Sequence, residues 1–530
     1  KLSIDGCIFI GNDAPYGDAV SNFRSAPLNI TNSILLGNID NLIFNDVYFA
    51  TANNNWFGNT YDNKSARPNL HKSIEMNNWL YMDLVPDLAT SSAAVSINNL
   101  YDKDTGKTST YETSKLPSIE VSVSADNSII DSDKVVLDHS GKATFDFAFE
   151  NDTVFTADYG GVSISKKVNG GSFTELQGII SAADDGDIIT LTKDYIYING
   201  IDAMTQGISI INKHNLVIDG NGHTVNADGN SRVFAVDPES RNIVFKNINI
   251  ANGYLYSTIA GSGMDIQSDN SKLINCTFIN NKADTTYGGA ALYVDASHFT
   301  IDGCRFINNT QLYSTAGAIL MKGYDLTIKN TLFENNSAVG FAGAIESYDE
   351  CDIINCTFRN NSATFAGAIF NYDHTNIMDC TFIAKRAVKG ESQDARAGSG
   401  GAVYATNTTI TNCVFTYNEA SIGAAIAIAS EEAVVDKCIF INNTGGYNGV
   451  IYSFAKGGRV SNSIFLNNKV YGYVVSCLYN DLVADYNWFG NTWKNYDNIQ
   501  FMVSNLATVH NWLFLNATDL KFDDNGNMEV

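Results

Sequence analysis

Proline, paired cysteines and long apolar runs are scarce in this sequence. Proline accounts for 6 of 530 residues against 42 glycines, a balance that favours tightly turning strands over disorder. The sequence has no run of about 18 apolar residues, which excludes a helix that spans a membrane. The segment from Lys1 to Ile10 alternates like a strand and is unlike a signal peptide, so we expect any export signal or anchor outside this sequence.

Basic residues are also few, with 33 Lys and Arg against 57 Asp and Glu, which leaves a net charge of −24. Such a surface repels phosphate backbones and anionic lipids, so nucleic acid is excluded as a partner. The nine cysteines are odd in number and form no Cys-x-x-Cys pair, so neither a zinc site nor a disulfide framework is indicated. We expect reduced, buried thiols.

A phrase of the form Cys-x-Phe-x-Asn-Asn recurs along the chain. Its phenylalanines lie 24 to 33 residues apart, at Phe278, Phe306, Phe333, Phe358, Phe382, Phe415, Phe440 and Phe465. A second phrase, Gly-Ala, follows most copies, as at Gly289-Ala290 and Gly317-Ala318. A period near 25 without intervening helices is too short for a βαβ unit and is typical of a solenoid. The phrases therefore predict an all-β chain, a right-handed parallel β-helix with phenylalanines, cysteines and asparagines stacked in columns.

One helix and one small sandwich complete the predicted fold. The capping box Ser172-Phe173-Thr174-Glu175 precedes apolar residues at helical spacing, which predicts an amphipathic helix that caps the N-terminal end of the β-helix. The stretch between Trp79 and this box has short strands separated by glycines, which predicts an immunoglobulin-like β-sandwich.

Both ends of the chain carry the same motifs. Trp56-Phe57-Gly58-Asn59-Thr60 is repeated at Trp488-Phe489-Gly490-Asn491-Thr492, and Asn78-Trp79-Leu80 is repeated at Asn511-Trp512-Leu513. We therefore interpret the sequence as part of a tandem array. The predicted domains are the C-terminal coils of a first β-helix at 1–78, a sandwich spacer at 79–168, a complete β-helix with its cap at 169–510, and the start of a next spacer at 511–530.

These motifs resemble two groups of surface proteins. The paired phrases, such as Cys276-Thr277-Phe278 with Gly289-Ala290, are similar to the repeats of chlamydial polymorphic outer membrane proteins. The alternation of β-helices with immunoglobulin-like spacers, each helix closing on Trp-Phe-Gly-Asn-Thr, resembles the adhesin-like surface proteins of methanogenic archaea. The resemblance implies an extracellular, cell-surface protein used for attachment, and it supplies no catalytic residues.

Enzymatic activity is an alternative, because polysaccharide lyases and hydrolases also use β-helices. Glycoside hydrolysis needs converging carboxylates, and lyase chemistry needs Ca²⁺ carboxylates beside a basic residue. The sequence has no such set, and Gly220-Asn221-Gly222-His223 is the nearest match. We therefore predict a non-enzymatic adhesin-like module, a rigid stalk that displays loops. The alternatives are a purely structural envelope or fibre protein, and a polysaccharide lyase or hydrolase.

Loop residues are the candidate contact sites. The spacing widens between Phe382 and Phe415, and insertions in a solenoid emerge as loops, often on the binding face. We predict contact with a cell-surface glycan or protein, of another cell or of the envelope, through Lys385, Arg386, Lys389 and Arg396. Neighbouring modules of the same chain are the other predicted partners. The predicted glycosylation sites are the sequons at Asn63, Asn151 and Asn407.

Two further patterns leave alternatives open. Aromatic residues two positions before the bend glycine, such as Tyr287, Phe341 and Phe365, either form a sugar-stacking strip or pack inward. A polar ladder six residues before the cysteine column either collects Ca²⁺ or is an exposed turn wetted by water. Its members are Asn270, His298, Asp325, Glu350, His374, Asn407 and Glu432. No catalytic residue and no cofactor is assigned.

Overall fold

The computed structural model describes residues 2–12, 14, 17, 19–23, 26–37, 42–46, 49–68, 70–71, 73–87, 91–149, 152–168, 170–198, 202–257, 260–313, 315–387, 394, 397–492, 498–515, 521–522 and 528–529. The chain forms two compact units, Lys1–Gly171 and Ser172–Val530. Regular structure in these ranges is almost entirely strand, with one α-helix at Phe173–Ala182 and 3₁₀ turns at Tyr61–Asn63 and Asn498–Phe501. The predicted all-β class is confirmed.

The first unit combines parallel coils with antiparallel sheets. Its first parallel sheet consists of Leu2–Asp5, Leu28–Thr31, Ala50–Thr51 and Ile74–Glu75. A separate parallel pair is formed by Val20–Asn22 and Ile43–Asn45. A second sheet runs through Ile8–Ile10, Ile34–Leu36, Trp56–Thr60, Asn78–Asp87, Ser92–Asp102, Lys142–Phe149 and Ser128–Ile130, with Thr108–Thr110 beside Ser92–Asp102. A third, antiparallel sheet consists of Lys134–Leu137, Ile119–Ala125, Thr153–Tyr159 and Val162–Val168.

Strand Asn78–Asp87 connects the two kinds of pairing in this unit. It pairs in parallel with Trp56–Thr60 and antiparallel with Ser92–Asp102, so one sheet continues from the coils into the antiparallel part. The rings of Phe147 and Phe155, from the second and third sheets, lie with centroids 4.6 Å apart, which packs the two sheets against each other. The immunoglobulin-like topology and the domain boundaries at 78, 168 and 510 stay predictions.

The second unit is a parallel β-helix with four faces, numbered in the order in which each coil passes through them. Face 1 consists of Ile188–Thr190, Val217–Asp219, Val244–Lys246, Lys272–Ile274, Thr300–Asp302, Leu326–Lys329, Cys351–Ile354, Thr375–Met378, Thr408–Thr411, Val434–Asp436 and Arg459–Ser461. Face 2 includes Asp194–Ile196, Thr224–Asn226, Asn249–Ala251, Thr277–Ile279, Arg305–Ile307, Leu332–Glu334, Thr357–Arg359, Thr381–Ile383, Val414–Thr416, Ile439–Ile441, Ile464–Leu466, Asn487–Thr492 and Trp512–Leu515.

The other two faces complete each coil. Face 3 consists of Tyr254–Ser257, Lys282–Thr285, Thr310–Gln311, Ser337–Ala338, Ser362–Ala363, Arg386–Ala387, Glu419–Ile422 and Thr444–Asn448. Face 4 consists of Ile208–Ile210, Phe234–Val236, Met264–Ile266, Leu292–Asp295, Ile319–Lys322, Ile345–Ser347, Ile369–Asn371, Val403–Ala405, Ile426–Ile428, Ile451–Ser453 and Val475–Cys477. Short pairs are formed by Ala260–Gly261 with Gly288–Gly289, and by Lys521–Phe522 with Met528–Glu529.

The phenylalanines of the repeated phrase form one interior column. Phe333 pairs in register with Phe306 and Phe358 on face 2, with ring centroids 5.0 and 4.9 Å away and ring planes within 7° of parallel. All three side chains are buried. Stacking at the strand spacing hides apolar side chains that a single coil would leave exposed. The predicted column is confirmed.

An asparagine ladder runs beside this column. The Nδ2 of Asn309 donates to Oδ1 of Asn336 at 2.9 Å and to the carbonyl of Phe278 at 3.0 Å, and this pattern satisfies buried amides from coil to coil. The ladder comprises Asn281, Asn309, Asn336, Asn361, Asn418, Asn443 and Asn468. All nine cysteines are free thiols, and eight are buried; Cys7 is half-buried, contrary to the expectation of uniform burial.

The capping helix Phe173–Ala182 is confirmed at its predicted position. The backbone N–H of Glu175 donates to Oγ of Ser172, the N-cap residue, at 3.1 Å. Phe173, Leu176 and Ile180 are buried in the same core as the first coils, so the helix covers the apolar interior at that end. No helix among the described residues is long and apolar enough to cross a membrane.

Candidate functional site

Face 4 carries a row of side chains on its outer surface. Because successive strand residues point to opposite sides of a sheet, Ile345 enters the interior core while Glu346 points outward. Glu346 pairs in register with Leu320 and Phe370 on the neighbouring coils. These two neighbours in the outer row are apolar and aromatic, so the carboxyl group of Glu346 lies in apolar surroundings.

The carboxyl group of Glu346 is fully buried, at 0% exposure. Within the described part of the chain, neither oxygen makes a hydrogen bond of ideal geometry, but the phenols of Tyr348 and Tyr372 are close enough to donate weakly to the carboxyl. Burial raises the pKa of Glu346 to about 8, and hydrogen bonding from the phenols of Tyr348 and Tyr372, which favours the ionised form, partly offsets the rise. Glu346 is therefore protonated at neutral pH and holds a proton that it can give away.

Tyrosine rings surround this carboxyl. The rings of Tyr348 and Tyr372 stack with centroids 4.5 Å apart and an angle of 22° between them, and Tyr287 lies 6.1 Å from Tyr348. Burial raises the pKa of Tyr348 and of Tyr372, so both phenols stay neutral. Tyr372 is 38% exposed, so the edge of the stacked pair meets solvent.

Lys322 brings one positive charge to the same place. Its Nζ lies 4.5 Å from the ring centroid of Tyr287 and 5.5 Å from that of Tyr348, which are cation–π distances. We call Tyr287, Lys322, Glu346, Tyr348 and Tyr372 the tyrosine site. The site combines a proton donor, flat apolar ring surfaces and a cation.

The aromatic residues before the bend glycines belong to the outer surface of face 4. Tyr287, Phe341 and Phe365 are partly buried and pack on a cluster that contains Tyr293 and Phe370, separate from the interior core. The rings of Phe341 and Phe365 are stacked with centroids 5.1 Å apart. These side chains therefore extend the tyrosine site into an aromatic strip and do not pack inside the coils.

The predicted contact residues are not brought together as expected. Lys385 is fully buried in place of an asparagine of the ladder, and its Nζ donates to the carbonyl of Ile383 at 3.0 Å. The prediction that Lys385 contacts a surface ligand is thus corrected, because no part of its side chain reaches solvent. Arg386 is exposed, 3.7 Å from Glu419, at an open cavity of about 320 Å³ that Tyr471 also lines. Lys389 and Arg396 lie outside the described residues.

The predicted glycosylation sites differ in their surroundings. Asn63 is exposed at the end of a 3₁₀ turn, and its Oδ1 accepts a hydrogen bond from the backbone N–H of Thr60 at 2.6 Å. Asn407 is half-buried, and its Oδ1 accepts a hydrogen bond from Oγ of Ser430. Asn151 lies outside the described residues. Asn63 therefore offers the more accessible amide.

The polar ladder of the turns contains one close pair, with Nδ1 of His298 2.7 Å from Oδ2 of Asp325. Within the described ranges, no group of three or more His, Cys, Asp or Glu side chains is placed to hold a metal ion. His223, from the nearest match to a catalytic motif, places Nδ1 3.1 Å from Oδ1 of Asp194.

The family profile described as "Right handed beta helix region" matches residues 178–343, 225–387 and 344–513. The chain belongs to this right-handed β-helix family. The predicted handedness and repeat architecture are thereby confirmed, whereas the archaeal and chlamydial resemblances stay predictions. No curated protein matches the chain in sequence.

Solved structures with a similar chain course come from several functional classes. The alginate lyase AlyF-OU02 is 13% identical, with a TM-score of 0.40, over 68% of this chain and 89% of the lyase. The GH87 α-1,3-glucanase of Streptomyces thermodiastaticus is 12% identical, with a TM-score of 0.30, over 81% of this chain and 90% of the enzyme. PfbA, a surface adhesin of Streptococcus pneumoniae, is 14% identical, with a TM-score of 0.29, over 67% of this chain and 89% of the adhesin.

These matches correct two predictions. The chain was expected to be a non-enzymatic adhesin-like module and not an enzyme; both expectations are corrected, since the similar structures include polysaccharide lyases and a glucanase as well as an adhesin, and the fold alone therefore does not set enzymes aside. At such low identity the likeness concerns the fold alone, so the reaction has to be argued from the side chains of this chain.

Sequence reasoning missed Glu346, although the repeats carry a signal for it. Aligning the Gly-Ala phrases puts Leu320, Glu346, Phe370 and Tyr404 in one column, where Glu346 is the charged member. A carboxylate among apolar and aromatic neighbours in such a column indicates either a surface position or a special site, and Asp265 is another carboxylate of the same row. Only the packing of Tyr348 and Tyr372 distinguishes the two.

Proposed function

We propose that this chain is a polysaccharide-cleaving enzyme that acts at the tyrosine site, with Glu346 as the proton donor. The observation that carries the proposal is the carboxyl of Glu346, which is fully buried among tyrosine rings with the phenols of Tyr348 and Tyr372 as its polar neighbours. Carboxyl groups whose pKa is strongly raised by burial concentrate at functional sites, and Glu346 is such a group. Such a group costs stability, which a purely structural role would not require.

The aromatic strip supplies the binding surface. Aromatic side chains present a flat apolar face beside a polar tip, a combination that suits the alternating apolar faces and hydroxyl groups of a sugar chain. The strip extends across several coils, from Tyr287 to Phe365, and strands of successive coils are about 4.8 Å apart. A polymer can therefore contact several coils at once.

Glu346 assists bond cleavage as a general acid. As the glycosidic bond breaks, the departing oxygen takes the electron pair of that bond together with the proton of Glu346. The proton is returned to Glu346 by the water that adds to the anomeric carbon in hydrolysis, or by the carbon-bound hydrogen that is lost in elimination. Tyr348 and Tyr372 have to rotate outward for the substrate to reach the carboxyl, and the exposed edge of Tyr372 is where this opening begins. The substrate would be an extracellular polysaccharide, in keeping with the predicted location.

The test is a cleavage assay with a matched pair of variants. Wild type, Glu346→Gln and Glu239→Gln are incubated with a panel of neutral and acidic polysaccharides, and reducing ends and unsaturated uronides are measured. Glu239 is exposed on an early coil of the same β-helix, so its variant controls for the loss of one glutamate. We expect product from wild type and Glu239→Gln, and a loss of about 10²-fold or more in Glu346→Gln. Equal product from Glu346→Gln and wild type would contradict the proposal, as would no product from any polymer.

A further inference from the structure

The charges around the tyrosine site are mostly negative. Asp349 and Glu350 directly follow Tyr348 in the chain, Asp373 directly follows Tyr372, and Asp295 is the in-register neighbour of Lys322. Asp295, Glu350 and Asp373 are exposed, and Asp349 is half-buried. These four carboxylates, which we call the rim, are thus chain neighbours or strand neighbours of residues of a site that contains a single lysine.

Two of these carboxylates are held in position by hydrogen bonds. Oδ2 of Asp295 accepts from the phenol of Tyr293 at 3.1 Å, and Oδ2 of Asp349 accepts from the backbone N–H of Gly323 at 2.8 Å. The carboxylates are therefore fixed parts of the rim. At an ionic strength of 0.15 M the Debye length is about 8 Å, so charges beside the strip act on a polymer that lies across it.

Lys322 is the cation of the site, and its ammonium group already contacts aromatic rings. Its ammonium lies over Tyr287 and Tyr348, and its in-register neighbour is Asp295. Elimination from a uronate requires cationic groups that stabilise the negative charge developing on the sugar carboxylate. Lys322 meets that requirement poorly, because its ammonium already lies over two rings and, of the five residues of the tyrosine site, it alone is cationic.

From this arrangement we infer that the substrate of the tyrosine site is an uncharged polysaccharide and that the reaction is hydrolysis, an inference that rests on the proposed function. A neutral sugar chain is not repelled by the rim, whereas a polyuronate meets four like charges. Elimination needs a carboxyl group next to the carbon that loses its proton, and a neutral polymer has none. In hydrolysis the bond between the anomeric carbon and the departing oxygen breaks. That oxygen takes the proton of Glu346; the Glu346 carboxylate left behind then takes a proton from the water that bonds to the anomeric carbon, so one carboxyl group acts first as acid and then as base.

The first test compares polymers. Laminarin, soluble starch, dextran and hydroxyethyl cellulose are the neutral probes, and alginate and polygalacturonate, with and without added Ca²⁺, are the uronate probes. We expect Glu346-dependent release of reducing ends from at least one neutral polymer and no unsaturated product from either uronate. Unsaturated product that is lost in Glu346→Gln would overturn the inference while leaving the proposed function in place. No release from any polymer would overturn the proposed function itself.

The second test addresses the rim directly. The double variant Asp349→Asn/Asp373→Asn removes two charges and keeps amide oxygens as acceptors, and the charge-matched control is Asp104→Asn/Glu239→Gln. Affinity electrophoresis in gels that contain polygalacturonate measures binding. We expect the rim variant to be retarded several-fold more than wild type and the control to behave like wild type. Equal retardation of the two double variants would overturn the role of the rim.

Discussion

Lys385 stands where the ladder would have an asparagine, and its backbone N–H donates to Oδ1 of Asn418 at 3.1 Å. On the other side, Nδ2 of Asn361 donates to the carbonyl of Phe333, and the Asn361 amide has no asparagine to follow it. Ala384, next to Lys385, has a φ of 55°, in the left-handed region that asparagine tolerates better than alanine. One coil thus departs from the repeat at two adjacent positions.

Replacing this lysine by asparagine should stabilise the protein. Burial lowers the pKa of Lys385 to about 6 from 10.5, so folding at pH 7 has to remove a proton that the unfolded chain holds. Between these two values the unfolded state binds more protons, and stability therefore rises with pH. We expect Lys385→Asn to raise the free energy of unfolding by roughly 3–5 kcal/mol at pH 7. Urea unfolding from pH 5 to 9 measures this.

A charge-matched control separates burial from net charge. Lys456 is exposed, and Lys456→Asn removes the same charge. We expect this variant to change the free energy of unfolding by less than about 0.5 kcal/mol. If Lys456→Asn and Lys385→Asn shift stability equally, burial of the amine is not the cause.

The buried carboxyl of Glu346 should give the opposite pH dependence. Because burial raises the pKa of Glu346 to about 8 from 4.5, the folded state holds a proton that the unfolded state has lost between these two values. The stabilisation from this group is complete below pH 4.5 and is lost as the pH rises from 4.5 to 8, by about 5 kcal/mol in all. Glu346→Gln should remove this downward slope, whereas Glu239→Gln should keep it. Thermal melting from pH 4 to 9 is the measurement.

The cleavage rate should follow the same proton. A general acid is active only while protonated, so cleavage should fall as pH rises through about 8, where Glu346 ionises. The profile is obtained from initial rates of reducing-end release at several pH values around 8. Only pH values at which circular dichroism shows a folded protein are used. A rate that rises through pH 8 would argue against a proton-donating Glu346.

The interior column should be sensitive to truncation. Phe333 is fully buried and stacks on Phe306 and Phe358, so Phe333→Ala leaves a cavity between two rings. We expect a loss of about 3–5 kcal/mol. Val339 is 58% exposed, and Val339→Ala on the same coil is the control, with a change below about 0.5 kcal/mol. Similar losses in both variants, measured by urea unfolding, would contradict an interior column.

The thiols should differ sharply in reactivity. Burial raises the pKa of the Cys351 and Cys477 thiols, and eight of the nine cysteines are buried, while Cys7 is half-buried. Since the thiolate is the reactive form, native protein should react with a thiol reagent at Cys7 alone. Denaturant should release all nine. Rapid reaction of more than one thiol in the native protein would show that the core opens.

The candidate site was only partly predictable from the sequence. Tyr287, Phe341 and Phe365 stand out because they precede bend glycines, but the repeat leaves open whether they pack inward or outward. Lys385 looks like a loop residue because it opens a long insertion, yet its coil position is that of a buried asparagine. The charge of Lys385 and its place at the start of the insertion favoured a surface position. The in-register stacking of the coils instead places its side chain in the interior, at the position of a ladder asparagine.

The sequence by itself determined the coil period, the phenylalanine column through Phe333 and the capping helix after Ser172, because each is specified by local spacing that repeats along the chain. Tertiary structure alone decided that Glu346 is covered by Tyr348 and Tyr372. Those tyrosines come from its own coil and the next one, and the distance between coils, not the distance along the chain, sets the solvation and the pKa of the carboxyl between them.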